Sequence, residues 1–194
     1  MNIDNSILLE IFKDISFTKE ESHLIVSKFE KIRLQKGDTL LDANEVVHNQ
    51  YYVSSGCLRT YFMDNSGKEH TLQFAIQDWW ISDYTAFFTT SKAAMTIECI
   101  QEAIVYKISK KDVEYLYLKI PKIETLFRKK MEKGYAALQK RILSSLSQSA
   151  KERYTSFISA YPNIEQSVKN YHIASYLGIT TESLSRIRKE LTHN

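Results

Sequence analysis

Proline, glycine and cysteine are all scarce: the 194-residue chain has two, five and two of them. With 43% apolar residues beside that scarcity, a collagenous or low-complexity polypeptide is excluded, and there is enough apolar mass to bury a core in one domain or two small ones. Cys57 and Cys99 stand singly in apolar, strand-like segments. Without CxxC spacing, a zinc, haem or dithiol redox site is not expected, and both are read as reduced, buried thiols. No run of eighteen apolar residues occurs, so no membrane-spanning helix is expected. The amino-terminal MNIDNSILLEIFKDIS carries acids among its apolar residues. A secretory signal has a basic start and an unbroken apolar centre, so a cytoplasmic protein without membrane attachment is expected. His23, His48, His70, His172 and His193 lack HxH or HExxH spacing, and GxSxG and phosphate-loop patterns are missing. Neither a metal site, a cofactor nor enzymatic catalysis is expected.

The formal charge of +3 hides a strong segregation. Residues 1–118 carry 12 Lys and Arg against 17 Asp and Glu, residues 119–153 carry 10 against 3, and residues 154–194 carry 4 against 3. A concentration of basic charge in the middle segment is either a solvated helix face or, beside a DNA-reading element, a source of potential that attracts phosphates.

Three textures follow one another along the chain. SILLEIF and TKEESHLIVSKF have helical apolar spacing, the second opening with Thr18 three residues before Glu21, a capping-box pattern. From about Glu30 to Ser109 come short segments rich in Val, Ile, Thr, Tyr and Phe: KIRL, YYVSS, CLRTYFM, HTLQFAI, TIECI and AIVYKIS. Turn signals at KGD, SSG and DNSGKE separate several of them, and short strands so spaced predict a small barrel or roll closed on itself. From Pro121 onward Ile123, Phe127, Met131, Gly134, Leu138 and Ile142 recur at steps of three or four among many Lys and Arg. This predicts a long helix with a narrow apolar stripe, suited to packing on its own roll or on a second copy, with the homodimer favoured. Gly134 inside the stripe fits a close approach of two backbones, or is a local weak point.

In NYHIASYLGITTESLSRIRKEL, Asn170 to Leu191, two short periodicities meet at Gly178. Ile173 and Leu177 are expected to be buried with Ala174 kept small, Gly178 to take the left-handed turn, Ile179 to plug the corner and Thr180 to cap the next helix. Leu184, Ile187 and Leu191 then turn inward, leaving Thr181, Glu182, Ser185, Arg186 and Lys189 outward, with Ser183 near the amino-terminal end. The spacing is that of a helix-turn-helix, whose second helix enters the major groove. Arg186 can donate a bidentate pair to guanine or be a solvated arginine; Glu182 can accept from cytosine N4 or simply favour the helix dipole.

With these residues in view, nearly the whole chain resembles the Crp/Fnr family of bacterial transcription regulators. The likeness runs from the roll around LQKGDTLLDANEVVHNQYYVSSGCLRTYF to AKERYTSFISAYP and HIASYLGITTESLSRIRK, the last two similar to short members from Bacteroidetes-type bacteria. The resemblance implies an α+β protein. A double-stranded β-helix (jelly-roll-like) sensor domain of cyclic-nucleotide-binding type would span 1–118, a dimerisation helix 119–147, and a helix-turn-helix domain 148–194. It implies base reading by Thr181, Glu182 and Arg186, support from Ser183, and phosphate contacts at Asn170 and Tyr171; Lys189, on the same outward face, is expected among the DNA-binding residues. It also implies a homodimer on a palindromic operator in double-stranded DNA, and RNA polymerase as a partner.

The sequence departs from that pattern twice. Family members that sense cyclic nucleotides hold the phosphate with a Gly-Glu pair and a later Arg; here Ser82 and Asp83 stand at the pair, Ala93 or Ala94 at the Arg, and Lys92 is only a displaced substitute. Cyclic AMP is therefore not the expected effector. The chain's last residue, Asn194, comes shortly after the recognition helix, so a truncated or absent wing is expected. Phe74, Trp79, Trp80, Tyr84, Phe87 and Phe88 either line a small-molecule pocket or fill the roll. If a pocket exists, its residues would be Trp79, Trp80, Ser82, Asp83, Tyr84 and Lys92. The two cysteines cannot supply the ligands of an iron-sulfur sensor. The competing reading is a ligand-binding or protein-interaction module that has lost DNA binding.

Overall fold

The computed structural model describes residues 6–162 and 164–192. Residues 1–5, His193 and Asn194 lie outside the described residues, and with them part of the amino-terminal reading and the reading of the wing. The chain divides into two compact units, Met1–Thr60 with Phe74–Arg128, and Tyr61–Gln73 with Lys129–Asn194.

The first unit begins with helices α1 (Ser6–Ile11) and α2 (Lys19–Ser27). The expected capping box is present: the Thr18 hydroxyl accepts from the Glu21 amide at 3.2 Å, and the Glu21 carboxylate accepts from the Thr18 amide at 2.9 Å. Among the described residues six strands follow: β1 (Glu30–Leu34), β2 (Thr39–Leu41), β3 (Asn49–Met63), β4 (Glu69–Ala75), β5 (Trp79–Ile81) and β6 (Thr96–Ser109). They form one sheet in the order β1-β6-β3-β4, with β2 also on β6 and β5 also on β3; β1, β2 and β5 pair antiparallel to their neighbours. Helix α3 (Tyr84–Thr89) leads into the β6 arm, and α4 (Lys110–Lys119) and α5 (Pro121–Ser147) follow β6.

Two apolar cores result. Val53, Leu58, Ala75, Ile81, Phe87, Ile97 and Val105 pack inside the roll. A second core joins Ile7, Ile11 and Phe12 to Ile25, Tyr52, Trp80, Tyr106, Leu116, Ile123 and Phe127. Alternation along β3 explains the division: Tyr51 and Val53 belong to the roll core while Tyr52 between them belongs to the second. Cys57 and Cys99 are buried, as expected. Burial pushes their thiols up to about 12 and about 11, so both are protonated at neutral pH.

Two expectations about the strands are corrected. SSG does not end a strand: YYVSS and CLRTYFM are one continuous β3, and TIECI and AIVYKIS are one continuous β6. Gly56 does adopt a positive φ of 86°, but inside the strand, where a Cβ would lie 2.2 Å from the Glu102 carbonyl oxygen and 2.6 Å from Ala103 Cα. Glycine is here a close-approach residue, and that use looks the same in sequence as a turn. The helix α4, too, goes beyond the sequence reading.

In the second unit, α6 (Ala150–Ala160), α7 (Ile164–Ser167), α8 (Asn170–Leu177) and α9 (Thr181–Thr192) follow the later part of α5. Ser149 opens α6 with a second capping box to Glu152. Tyr154, Phe157, Tyr161, Ile173, Leu177, Leu184 and Ile187 are buried, and α6 packs against both α8 and α9. Leu191 is exposed rather than turned inward, because it lies in the last turn of α9. No helix among the described residues is long and apolar enough to cross a membrane.

Gly56→Ala is expected to destabilise the protein by roughly 2–4 kcal/mol, since it adds left-handed backbone strain to a clash with backbone atoms that cannot step aside. Thermal or urea unfolding checks this; an unchanged midpoint would contradict it.

Candidate nucleic-acid interface

The turn between α8 and α9 is built as its glycine requires. Gly178 has φ 67° and ψ 37°, and its amide reaches back to the carbonyls of Ala174 and Ser175. Ile179 is half-buried at the corner and donates its amide to the Ala174 carbonyl at 3.0 Å. Thr180 caps α9, its hydroxyl accepting from the Ser183 amide at 3.2 Å. Arg153 closes the turn from below, donating to the Leu177 carbonyl at 3.3 Å and to the Gln148 carbonyl at 2.7 Å. The carbonyls at the ends of α8 and α5 thereby share one guanidinium.

Helix α9 has two unlike faces. Leu184 and Ile187 are buried, whereas Glu182, Ser185, Arg186 and Lys189 are exposed and Thr181 and Ser183 are half-exposed. The Thr181 hydroxyl donates to the Glu182 carboxylate at 3.1 Å. The backbone amide of Glu182 itself, with the Thr180 and Thr181 hydroxyls, holds its carboxyl below the usual range, so it is ionised at neutral pH and offers only acceptors. Arg186 offers only donors. At the start of α8, Asn170 and Tyr171 are exposed, and Lys169 lies 5.5 Å over the Tyr171 ring.

Three groups of contacts escaped the sequence reading. Arg141 of α5 donates through Nη2 to the carbonyls of Thr71 at 3.3 Å and Tyr176 at 3.1 Å, through Nη1 to that of Leu72, and stacks 4.0 Å over the Tyr176 ring. Ser175 of α8 accepts from the Thr71 amide and donates to the Glu69 carbonyl, both at 2.9 Å. Arg188 of α9 donates to the Tyr154 hydroxyl, the Asn170 side chain and Glu165. Nothing in residue spacing signals these pairs, because each joins elements that only the fold brings together.

The residues read as a ligand pocket are mostly committed to the first unit's own structure. Trp80 packs 4.7 Å from the Phe127 ring and 5.5 Å from that of Tyr52, in the second core. The buried Ser82 hydroxyl donates to the Asn49 carbonyl at 2.9 Å. Asp83, also buried, accepts from the Ala86 amide at 3.2 Å as the cap of α3 and from the Ala94 amide at 2.9 Å. Trp79 is half-buried against the roll core, and Tyr84 packs against both cores, stacked on Phe88. Lys92 is exposed, at a bridge with Val46. The carboxylate of Asp83 thus takes the backbone donor of Ala94, where the resemblance would put a phosphate-binding arginine.

The family model of the cyclic nucleotide-binding domain matches residues 31–119. The chain is 25% identical to the anaerobic regulatory protein of Haemophilus influenzae, over 89% of this chain and 72% of that protein. Among solved structures it matches FixK2 from Bradyrhizobium japonicum with a TM-score of 0.73 at 17% identity, covering 85% of each chain. It also matches a protein from Eubacterium rectale, described as a transcriptional regulator of the Crp/Fnr family, with a TM-score of 0.71 at 19% identity over 94% of this chain and 86% of that one. The chain resembles the Crp/Fnr regulators along most of its length, and these matches together support that family. It is a transcription regulator with an α+β architecture of antiparallel sheet, long helix and carboxy-terminal helices. Crp/Fnr regulators bind DNA and act as dimers, and the relatives of this one are transcriptional regulators. The two solved structures, at such low identity, speak for its fold alone.

Proposed function

We propose that this Crp/Fnr regulator works in the cytoplasm as a homodimer that reads a palindromic operator through α9. One observation carries the proposal: α9 buries Leu184 and Ile187 and leaves Glu182, Ser185, Arg186 and Lys189 exposed, beside a turn built on Gly178. Donor-only Arg186 suits guanine O6 and N7, and ionised Glu182 suits cytosine N4, with Thr181 at the same end and Ser183 in support. Lys189, Asn170 and Tyr171 hold phosphate, which positions the helix without carrying sequence information.

In this reading residues 1–118 are the sensor, 119–147 the dimerisation helix and 148–194 the DNA-binding domain, with RNA polymerase as a further partner. The dimer proposal draws support from α5, where Tyr135, Leu138, Ile142, Leu143 and Leu146 are exposed although apolar. A Cβ at Gly134 would meet nothing within 4 Å in its own chain, leaving room for a second helix. Any effector would meet the faces that Trp79, Trp80, Ser82, Asp83, Tyr84 and Lys92 leave free of the unit's own packing, and half of these six residues are aromatic. The Asp83 carboxylate is taken by the Ala86 and Ala94 amides, and Ala93 and Ala94 offer no guanidinium to a cyclic phosphate, so cyclic AMP is not the effector.

Arg186→Ala is expected to weaken binding to the preferred duplex by about 1–3 kcal/mol and to relax one symmetric base position, while binding to a scrambled duplex changes little. Fluorescence anisotropy at several salt concentrations reads this; equal weakening of both duplexes would make Arg186 a phosphate contact. No salt-dependent binding to any duplex would favour a module that has lost DNA recognition. Sedimentation of the unmutated protein at micromolar concentration should give a dimer, and Met131→Glu with Leu138→Glu a monomer; a monomer without the substitutions contradicts the dimer. Calorimetric titration with cyclic AMP should give no heat of binding, and micromolar binding would show that Lys92 or another group replaces the missing arginine and overturn this reading.

A further inference from the structure

Arg188 differs from its neighbours on α9. Arg186 and Lys189 point outward, but the Arg188 guanidinium is turned to the helices behind: Nε donates to the Tyr154 hydroxyl at 3.2 Å, Nη2 to Glu165 Oε1 at 2.5 Å, and Nη1 to Asn170 Oδ1 at 2.6 Å. It also lies 5.7 Å over the Tyr154 ring. The Tyr154 hydroxyl in turn donates to Glu165, so the cation, the carboxylate and the phenol form one closed set.

The Asn170 bond has a chemical consequence. A guanidinium can only donate, so the atom of the Asn170 amide that faces it must be the oxygen. The NH2 group, with both of its donors, is therefore directed away from Arg188 on the exposed start of α8. An asparagine without such a partner could turn either end outward, and half of those orientations would present an acceptor to a phosphate.

We propose that Arg188 is a positioning residue of the DNA-reading surface. It acts through Asn170, fixing the amide so that its donors face the phosphate backbone, and it ties this phosphate contact on α8 to the base-reading helix α9. The proposal rests on the DNA-reading function above. It assigns to Arg188 no contact with DNA.

The test compares the full-length protein with Asn170→Asp and Arg188→Lys, measuring thermal unfolding and anisotropy of selected and scrambled duplexes over a salt series. Aspartate still accepts from Arg188 but has nothing to donate and adds a negative charge. Asn170→Asp should therefore keep or raise the unfolding temperature while losing about tenfold or more in affinity for both duplexes, with a salt slope smaller by about one. Arg188→Lys keeps the charge but loses the fork, so affinity should fall severalfold on both duplexes with the slope and the ratio between duplexes unchanged. Were the Asn170 NH2 group engaged within the fold, Asn170→Asp would lower the unfolding temperature, and that result overturns the proposal. Wild-type affinity and slope in Asn170→Asp also overturn it, because the NH2 group would then not face phosphate. If the unmutated protein binds neither duplex, it is the DNA-reading function that has failed, a result distinct from both.

Discussion

The Arg141 guanidinium is the fixed point of the second unit. Its planar fork of donors meets the carbonyls of Thr71, Leu72 and Tyr176, and its face covers the Tyr176 ring. Three stretches of chain, the β4 segment, α5 and α8, are held by one side chain whose N–H donors are fixed in a single plane. Ser175 adds a two-way bond to the same β4 segment, through the Thr71 amide and the Glu69 carbonyl. A lysine at 141 would keep the charge but could not reproduce the planar set of contacts. The position of α8 is thus fixed largely by backbone groups of the β4 segment.

Behind α9 a second arginine system does comparable work. Arg153 joins the ends of α5 and α8, and Arg188 joins α9 to α6, α7 and α8. Burial and the neighbouring Glu165 carboxylate push the Tyr154 phenol above its ordinary range, so it stays a neutral donor within this set. Basic residues in the carboxy-terminal half therefore fall into two kinds. Arg141, Arg153 and Arg188 build the unit, whereas Arg186 and Lys189 are presented to solvent and, in the proposed function, to DNA.

Local signals were legible in the sequence. Thr18 with Glu21, Gly178, Thr180 and the buried pair Leu184 and Ile187 all depend on neighbours within a few residues, and each stands in the structure as its spacing predicts. Gly56 misled because a glycine needed for close approach to Glu102 and Ala103 carries the same letter as one needed for a turn. Arg141 does not stand out in sequence from the other basic residues of 119–153, since its partner Thr71 is 70 residues away. Ser82 and Asp83 were legible as departures from the cyclic-nucleotide pattern. Their hydrogen bonds to Asn49, Ala86 and Ala94 emerged only with the fold.

The central claim is that two copies of α9, related by a two-fold axis, read two copies of one short sequence. Selection of bound fragments from randomised double-stranded DNA by the purified full-length protein tests it most directly. The account predicts enrichment of an inverted repeat whose half-site centres lie about 34 Å apart, one turn of the duplex. Enrichment of a single unrepeated motif, or no enrichment over the starting pool, would contradict it.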